Sequence, residues 1–395
     1  MESNLKRKFS EGPADSSSSS APTSEARDSM SGHLRCHNGK HLTKDRKEEL
    51  MCTVSNLCKR RGLGITACDE SAGTIGARFE NVSIENTEEN RRVYRQMLFT
   101  SGSKELSGAI LDPETLTQLS DSAVLFPELL YNNKIVTGVK PHLKTYTLPG
   151  TGDTVMQGLD SLAVRLSTYY KQGARFAKWR APFVVDVAAG NPTRLAIEAN
   201  MNDLARFALI SQSEGLVPMV EPDVTMPGDH TLEQAVAINT EILGVLFQAM
   251  REQGVYLEGC VLKTNMINPG KQCPVKYSLE QIAAANLDVL AQTVPACIRG
   301  VFYLSGGQDI DRVCDILDCI NKMKQVVNES RPQYPWNTTF SWSAAIQLPL
   351  LKLCATDDGV KNRKLAEALP EMKKKYLHIL NKAGTAALGN MEVCD

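Results

Sequence analysis

Eight short apolar segments recur along the chain from Gly62 onward, each with a length typical of a buried β-strand. Polar or amphipathic stretches long enough for a helix separate most of them. Two such stretches, residues 203–215 and 232–254, place apolar residues at helical spacing and end at a glycine. In order, the apolar segments are GLGITACDES, SGAILDP, KIVTGVKP, FAKWRAPF, LVPMVEPD, LEGCVLKTN, GVFYLSGGQ and TTFSWSA.

This alternation predicts an α/β fold, and eight repeats predict a single parallel (β/α)8 TIM barrel. A doubly wound sheet is the alternative, but it would need a glycine-rich phosphate loop after its first strand, and none follows. Residues 1–45 differ because they contain five consecutive serines and almost no aliphatic residues, which predicts a disordered arm. The predicted domains are the Ser-rich arm at 1–45, the barrel at 46–388 and a short tail at 389–395.

The charge balance and the cysteine content indicate which classes of partner and which cellular compartment to expect. The 44 lysines and arginines balance the 45 aspartates and glutamates, so no overall field favours nucleic acid or an anionic membrane. No apolar run approaches the ~18 residues of a membrane span. The 11 cysteines lack paired spacing, which is typical of a reducing compartment and predicts a cytoplasmic protein.

One group of residues in the arm has spacings that a metal could use, namely His33, Cys36, His37 and His41. A complete zinc site needs preorganised ligands and a small core around them. Short patterns of this kind are permissive, so we expect no functional metal and no cofactor.

Polar and charged residues gather at the C-terminal ends of the predicted strands, where barrels of this type hold their catalytic groups. Taken singly they have ordinary interpretations, because a lysine at a strand end usually snorkels to water. Their coincidence at one rim favours an active site instead. They are Asp69, Glu70, Ser71, Lys140, Lys178, Arg180, Glu221, Asp223, Lys263, Ser305, Gly306 and Gly307.

The two lysines at strand ends suggest a reaction. Repulsion between Lys178 and Lys263 across the mouth is expected to lower the pKa of at least one of them, and a free amine attacks a carbonyl. Dehydration of the carbinolamine needs an acid, for which Glu221 is the candidate. Asp69 is the candidate base for carbon–carbon cleavage of the iminium. The sequence therefore predicts Schiff-base lyase chemistry at Lys263.

Two candidate phosphate sites flank these residues. Backbone N–H groups of the Ser-Gly-Gly turn at 305–307 suit an anion. A second group, on the opposite side of the mouth, comprises Lys140, Ser71, Thr74 and Arg78. A substrate with phosphates at both ends is implied.

The motifs ACDESAGTIGARF, ENTEENRRVYRQMLFTS, GLD, FAKWR, VEPD, YLEGCVLKTNM, FYLSGGQ and TTFSWS closely resemble, in this order, those of the class I fructose-1,6-bisphosphate aldolases. The resemblance covers residues from about 42 to about 388. It implies reversible, metal-independent cleavage of fructose 1,6-bisphosphate to dihydroxyacetone phosphate and glyceraldehyde 3-phosphate, a step of glycolysis and gluconeogenesis. It also implies a homotetramer, sugar phosphates as ligands and cytoskeletal partners.

The resemblance also implies residue roles. Lys263 matches the Schiff-base lysine, Glu221 the dehydration acid/base, and Asp69 the cleavage base. Lys178 matches the supporting lysine, and Asp223 completes the predicted catalytic set. The predicted substrate-binding residues are Ser71, Thr74, Arg78, Lys140, Arg180, Ser305, Gly306, Gly307 and Ser343.

The chain departs from the family pattern at the phosphate sites. Ala344 stands where a phosphate-binding arginine is expected, and Ala77 replaces a lysine. Loss of a hydrogen bond to a charged group costs on the order of 1.5–3 kcal/mol, so bisphosphate turnover is expected to suffer. Asp223 replaces a glutamate, Thr264 replaces a proline, and the sequence ends in MEVCD without the family's C-terminal tyrosine.

Two alternatives stay open. Ala344, the missing tyrosine and the Ser-rich arm are compatible with a catalytically weakened, aldolase-like scaffold or binding protein. The altered phosphate site is also compatible with a lyase that acts on a different sugar phosphate.

Overall fold

The computed structural model describes residues 38–102, 104–355 and 364–392. Eight parallel strands in this part close into a barrel, and a separate antiparallel hairpin follows the third of them. In chain order the strands are β1 Gly64–Cys68, β2 Leu106–Leu111, β3 Val136–Val139, the hairpin strands β4 Thr145–Thr147 and β5 Thr154–Met156, β6 Phe176–Phe183, β7 Val217–Val224, β8 Val261–Asn265, β9 Gly300–Leu304 and β10 Asn337–Trp342.

The barrel closes through parallel pairing of β1 with both β2 and β10, and β3 pairs with β6. The predicted (β/α)8 barrel is therefore confirmed, and the doubly wound alternative is wrong because the sheet has no free edge. Each of the eight predicted apolar segments overlaps one barrel strand.

The described residues include 11 α-helices, most of them between consecutive strands. They are α1 Lys44–Cys58, α2 Ala72–Glu80, α3 Glu88–Thr100, α4 Phe126–Asn132, α5 Leu162–Lys171, α6 Arg194–Ser213, α7 Leu232–Glu252, α8 Leu279–Thr293, α9 Ile310–Ser330, α10 Ala344–Leu351 and α11 Leu365–Leu388. None of the helices in the described ranges is long and apolar enough to cross a membrane.

Local sequence fixes several helix starts. Thr231 and Gln234 form a reciprocal capping box at the start of α7, and each satisfies a backbone N–H that the helix leaves free. Ser278 and Gln281 do the same for α8. The helix predicted around 203–215 begins earlier, at Arg194, because Thr193 caps it by accepting a hydrogen bond from the Ala196 N–H.

Helix α1 covers the N-terminal end of the barrel. Its apolar residues Leu50, Val54 and Leu57 pack with inward-facing strand residues such as Phe176 and Phe302. The strands β1, β2, β8 and β9 are buried along their whole length, as expected for parallel strands covered on both faces. The opposite, C-terminal end is not covered by this helix, and we call this end the mouth.

Candidate active site

Four ionisable side chains from four strands meet at the mouth. Lys178 Nζ lies 2.7 Å from Asp69 Oδ2 and 3.1 Å from Glu221 Oε2. Lys263 Nζ lies 3.2 Å from the other oxygen of the same glutamate, Oε1. The result is a continuous chain of opposite charges, in the order Asp69, Lys178, Glu221 and Lys263, and each member is at most 8% exposed.

Strand alternation brings these groups together. Lys178 lies on β6 and Asp69 directly follows β1, while β6 pairs in register with β7 so that Arg180 is opposite Glu221. Residues two apart on a strand share a face, so Lys178 and Arg180 point to one side and Glu221 and Asp223 to the same side. The prediction that both pairs line the mouth agrees with their mutual contacts.

Both carboxylates in the chain of charges are ionised near neutral pH. Burial opposes ionisation of Asp69, but the charges of Lys178, Lys263 and Lys140 outweigh it and hold the pKa of Asp69 below its usual value. Burial likewise opposes ionisation of Glu221, whose pKa is nevertheless lowered by Lys178, Lys263 and Arg180. Glu221 must therefore gain a proton before it can act as an acid.

Lysine–lysine repulsion was expected to lower the pKa of at least one of the two lysines, and Lys178 does not show this lowering. Burial alone would lower its pKa, but the carboxylates of Asp69 and Glu221 overcome burial and raise the pKa above its usual value. The sequence does not reveal this effect, because the two carboxylates belong to other strand ends and reach Lys178 only once the barrel closes. Lys178 is therefore a fixed cation and a proton donor in hydrogen bonds.

Arg180 and Asp223 form a separate pair beside this chain. Arg180 Nε donates to Asp223 Oδ2 at 2.7 Å, and Arg180 Nη2 lies 2.7 Å from the same oxygen. Burial raises the pKa of Asp223, and Arg180 offsets this only in part. Asp223 therefore keeps Arg180 in place and has no direct ion pair with either mouth lysine in the described structure.

Arg78 lies against β10 and the start of α10. Its Nη1 is 2.8 Å from Glu70 Oε1, 3.0 Å from Ser343 Oγ and 3.3 Å from Gln347 Oε1. The Ser343 hydroxyl also donates to Glu70. Arg78 is thus next to Ala344, the position where the sequence resemblance implied a missing arginine.

The other members of the predicted far phosphate group have partners of their own. Lys140 Nζ lies 3.1 Å from Asp112 Oδ2. Ser71 caps α2, since its hydroxyl accepts from the Thr74 N–H at 3.4 Å and lies 3.1 Å from the Thr74 hydroxyl. The described contacts join Ser71 to Thr74 and do not join either of them to Lys140 or Arg78.

The turn at 305–307 has the backbone that the predicted near phosphate site needs. Gly306 and Gly307 both have positive φ, +58° and +80°, a region that favours glycine. The Gln308 N–H closes the turn onto the Ser305 carbonyl at 3.1 Å. The turn lies between the end of β9 and α9, at the rim of the mouth.

Some residues near the site were not singled out from the sequence. Glu70 was noted only as part of a strand end, yet it anchors both Arg78 and Ser343. His142 lies near Lys178 and Lys140, and both its ring nitrogens are buried without a hydrogen-bond partner in the described residues. Burial, together with those lysines, holds the pKa of His142 well below its usual value, so its ring is neutral.

No group of three or more histidine, cysteine, aspartate or glutamate side chains within the described ranges could hold a metal ion. Of the four residues in the candidate metal pattern, His33, Cys36 and His37 lie outside those ranges.

Comparisons with known proteins agree on one family. The sequence profile described as "Fructose-bisphosphate aldolase class-I" matches residues 49–392. A probable fructose-bisphosphate aldolase class 1 of Xylella fastidiosa is 41% identical over 83% of this chain and 94% of its own length. The fructose-bisphosphate aldolase of Dictyostelium discoideum is also 41% identical, over 87% of this chain and 92% of its own.

A solved structure extends the agreement to three dimensions. The fructose-bisphosphate aldolase of Plasmodium falciparum, determined in complex with TRAP and a small-molecule inhibitor, superposes with a TM-score of 0.82. It is 38% identical and covers 89% of this chain and 97% of its own.

Proposed function

Because the chain belongs to the class-I fructose-bisphosphate aldolase family, we propose that it cleaves fructose 1,6-bisphosphate reversibly through a Schiff base on Lys263. The products are dihydroxyacetone phosphate and glyceraldehyde 3-phosphate. The observation that carries this proposal is the chain of buried charges that runs from Asp69 through Lys178 and Glu221 to Lys263.

The first step is formation of the iminium. The Lys263 ammonium first gives a proton to Glu221, which lies 3.2 Å from Nζ, and the resulting amine attacks the ketone carbon. A second proton then moves from the nitrogen to the former ketone oxygen and forms the carbinolamine hydroxyl. The protonated Glu221 gives its proton to this hydroxyl, which leaves as water. The ionised ground state of Glu221 suits this order of events, because the residue accepts a proton before it donates one.

The second step is carbon–carbon cleavage. Asp69 removes a proton from the hydroxyl β to the iminium, the carbon–carbon bond breaks, and its electron pair moves toward the iminium nitrogen to form an enamine. The aldehyde product then departs. Lys178, between Asp69 and Glu221, stabilises both carboxylates in their basic forms.

The substrate phosphates are assigned to the two sides of the mouth. The 305–307 turn and Ser343 hold the phosphate nearer the ketone. Lys140, Ser71 and Thr74 hold the other, and Arg180, fixed by Asp223, supplies further positive charge. These assignments rest on the positions of the side chains at the rim and on the motif resemblance.

Reduction of the imine tests the proposal. Borohydride with dihydroxyacetone phosphate should add stable mass to the peptide that contains Lys263, and Lys263→Ala should abolish the label. Lys324 is the sharpest internal control, because it is also a buried lysine and its pKa is lowered to about 7. A label on Lys324, or one that persists in Lys263→Ala, would overturn the assignment.

Ala344 favours a second candidate, a lyase for a sugar with a single phosphate. A steady-state comparison of fructose 1,6-bisphosphate with fructose 1-phosphate separates the two. A larger kcat/KM for the monophosphate would support the second candidate. Absence of any imine would instead support a scaffold or binding protein.

The proposed oligomeric state rests on the family resemblance, and the proposed cellular location rests on the cysteines. A homotetramer is proposed by resemblance, as are cytoskeletal partners, and gel filtration with light scattering would measure the oligomer. Every cysteine in the described residues is free, which supports a reducing, cytoplasmic location.

A further inference from the structure

The end of the barrel opposite the mouth contains an open cavity of about 790 Å³. It lies between the C-terminal end of α1, the C-terminal half of α9 and the residues that lead into β1, β9 and β10. We call it the base cavity. Its volume is within the range of small-molecule sites, roughly 300–1,000 Å³.

Four basic side chains line the base cavity, namely Lys59, Arg61, Arg299 and Lys324, with Glu329 as the only acidic one. No ion pair joins any of the four to an acidic group in the described residues. This contrasts with the mouth, where Lys178, Lys263, Arg180 and Lys140 each lie within 3.2 Å of a carboxylate oxygen.

Two helix C-termini also face the base cavity and partly offset the positive charge. Each carries about half a negative charge, and α1 and α9 both end here. Together with Glu329 they balance only part of the positive charge of Lys59, Arg61, Arg299 and the partly protonated Lys324. Capping of helix ends therefore explains part of the cluster and leaves a net positive potential.

Lys324 is the most buried of the four basic side chains that line the cavity. It is 5% exposed and donates to the Trp336 carbonyl at 3.1 Å and to the Thr338 hydroxyl. Burial and the charge of Arg61 lower its pKa to about 7. An uncompensated cation is thus held beside a second one, and an anion would relieve the repulsion between them.

We propose that the base cavity is a second ligand site, which binds a small anion carrying two or more phosphate groups. Several cations from separate elements suit an anion with several charged oxygens. The aromatic residues Tyr334 and Trp336 line the cavity but are only 8% and 4% exposed, so little ring surface is free to stack on a base. The charged groups of the ligand, and no aromatic base, dominate recognition.

Titration calorimetry of the full chain with inorganic pyrophosphate tests the proposal. Arg299 is exposed and lies outside the proposed catalytic machinery, so Arg299→Ala should fold normally and weaken binding about ten- to a hundredfold, the value of one charge-assisted contact. Arg61→Ala should act in the same direction. Inorganic phosphate should bind more weakly than pyrophosphate, because it spans fewer of the cations.

Two control variants locate the bound anion. Arg206→Ala removes an exposed cation that does not line the cavity and should leave affinity unchanged. Arg180→Ala removes a mouth cation; it should weaken only pyrophosphate that binds at the mouth and leave the affinity of the base cavity unchanged. Loss of binding in Arg180→Ala together with retention in Arg299→Ala would show that pyrophosphate binds at the mouth, and would overturn the proposal. So would equal loss in Arg206→Ala and Arg299→Ala, or no measurable binding by the wild type. None of these outcomes bears on the borohydride test of Lys263.

Discussion

The two ends of this barrel differ in whether their basic side chains are paired with carboxylates. At the mouth, Lys178 and Lys263 share the carboxylate of Glu221, and Arg180 is paired with Asp223. At the base, no carboxylate in the described residues pairs with Arg61, Arg299 or any other basic residue of the cavity. Burial explains much of the difference. Lys178 and Lys263 are at most 5% exposed and need partners, whereas Arg61 and Arg299 are exposed and water solvates them.

The difference indicates what each end is suited to do. Opposite charges within 3.2 Å at the mouth fix protonation states, as acid–base chemistry requires. Unpaired cations at the base leave hydrogen-bond donors available for a ligand. Substitutions at the two ends should therefore have different consequences for activity and stability.

Removal of Lys263, the proposed nucleophile at the mouth, should have the largest effect. Lys263→Ala should lower kcat/KM by at least about 10⁴-fold, because no other side chain provides the amine that forms the imine. A coupled assay with fructose 1,6-bisphosphate measures this. Lys324→Ala, which removes the buried lysine at the base, is the matched control and should keep most of the activity. Equal losses of activity in the two variants would contradict the prediction that catalysis depends on the mouth lysine and not on the base lysine.

Asp69→Asn should separate cleavage from imine formation. Turnover should fall by about 10²–10⁴-fold, the usual contribution of a general base, because the amide cannot take the hydroxyl proton. Borohydride trapping with dihydroxyacetone phosphate should persist, since it depends on Lys263 and Glu221. Loss of trapping in a folded Asp69→Asn protein would show that the four charges act as one unit and that the separate roles are wrong.

Ala344→Arg would give the mouth an additional cation, like those at the base. We expect kcat/KM for fructose 1,6-bisphosphate to rise about ten- to a hundredfold through one new charge-assisted contact. Ala366→Arg, at an exposed position of α11, controls for the change in net charge. An unchanged kcat/KM would mean that another donor already holds this phosphate. Arg78 would be the first to test, since its Nη1 is 3.0 Å from Ser343 Oγ.

The smallest effect concerns stability at the base. The pKa of Lys324 is about 7 in the folded protein, below its usual value of 10.5, so the unfolded chain binds more protons between these values. Stability from this group therefore increases as the pH rises through 7. From pH 6 to pH 8 the free energy of unfolding of wild type should gain about 1 kcal/mol relative to Lys324→Met.

Urea denaturation in a buffer without phosphate measures this difference. Lys322→Met is the matched control, because Lys322 lies on the same helix but is paired with Asp318 at 2.8 Å. Its difference from wild type should not change between pH 6 and pH 8. A flat difference for Lys324→Met would show that the base does not hold an uncompensated buried cation.

The sequence alone determined the barrel and most of the candidate site. Fully apolar segments of strand length, separated by helical stretches, admit few folds, and the rule that barrel strands end at the active site then selects Asp69, Lys178, Glu221 and Lys263. Strand alternation depends only on local backbone geometry, so it was visible without coordinates. The absence of an arginine at Ala344 was equally plain from the motif.

Only the tertiary structure decided which charges meet. Glu221 and Asp69 raise the pKa of Lys178 because the closed barrel brings three distant segments within 3.1 Å. Barrel closure also places Arg78 beside Ser343, and it gathers the basic residues of the base cavity from three separate stretches of the chain. Local periodicity cannot reveal such contacts, since Coulomb interactions depend on distances in space and on the burial around each charge.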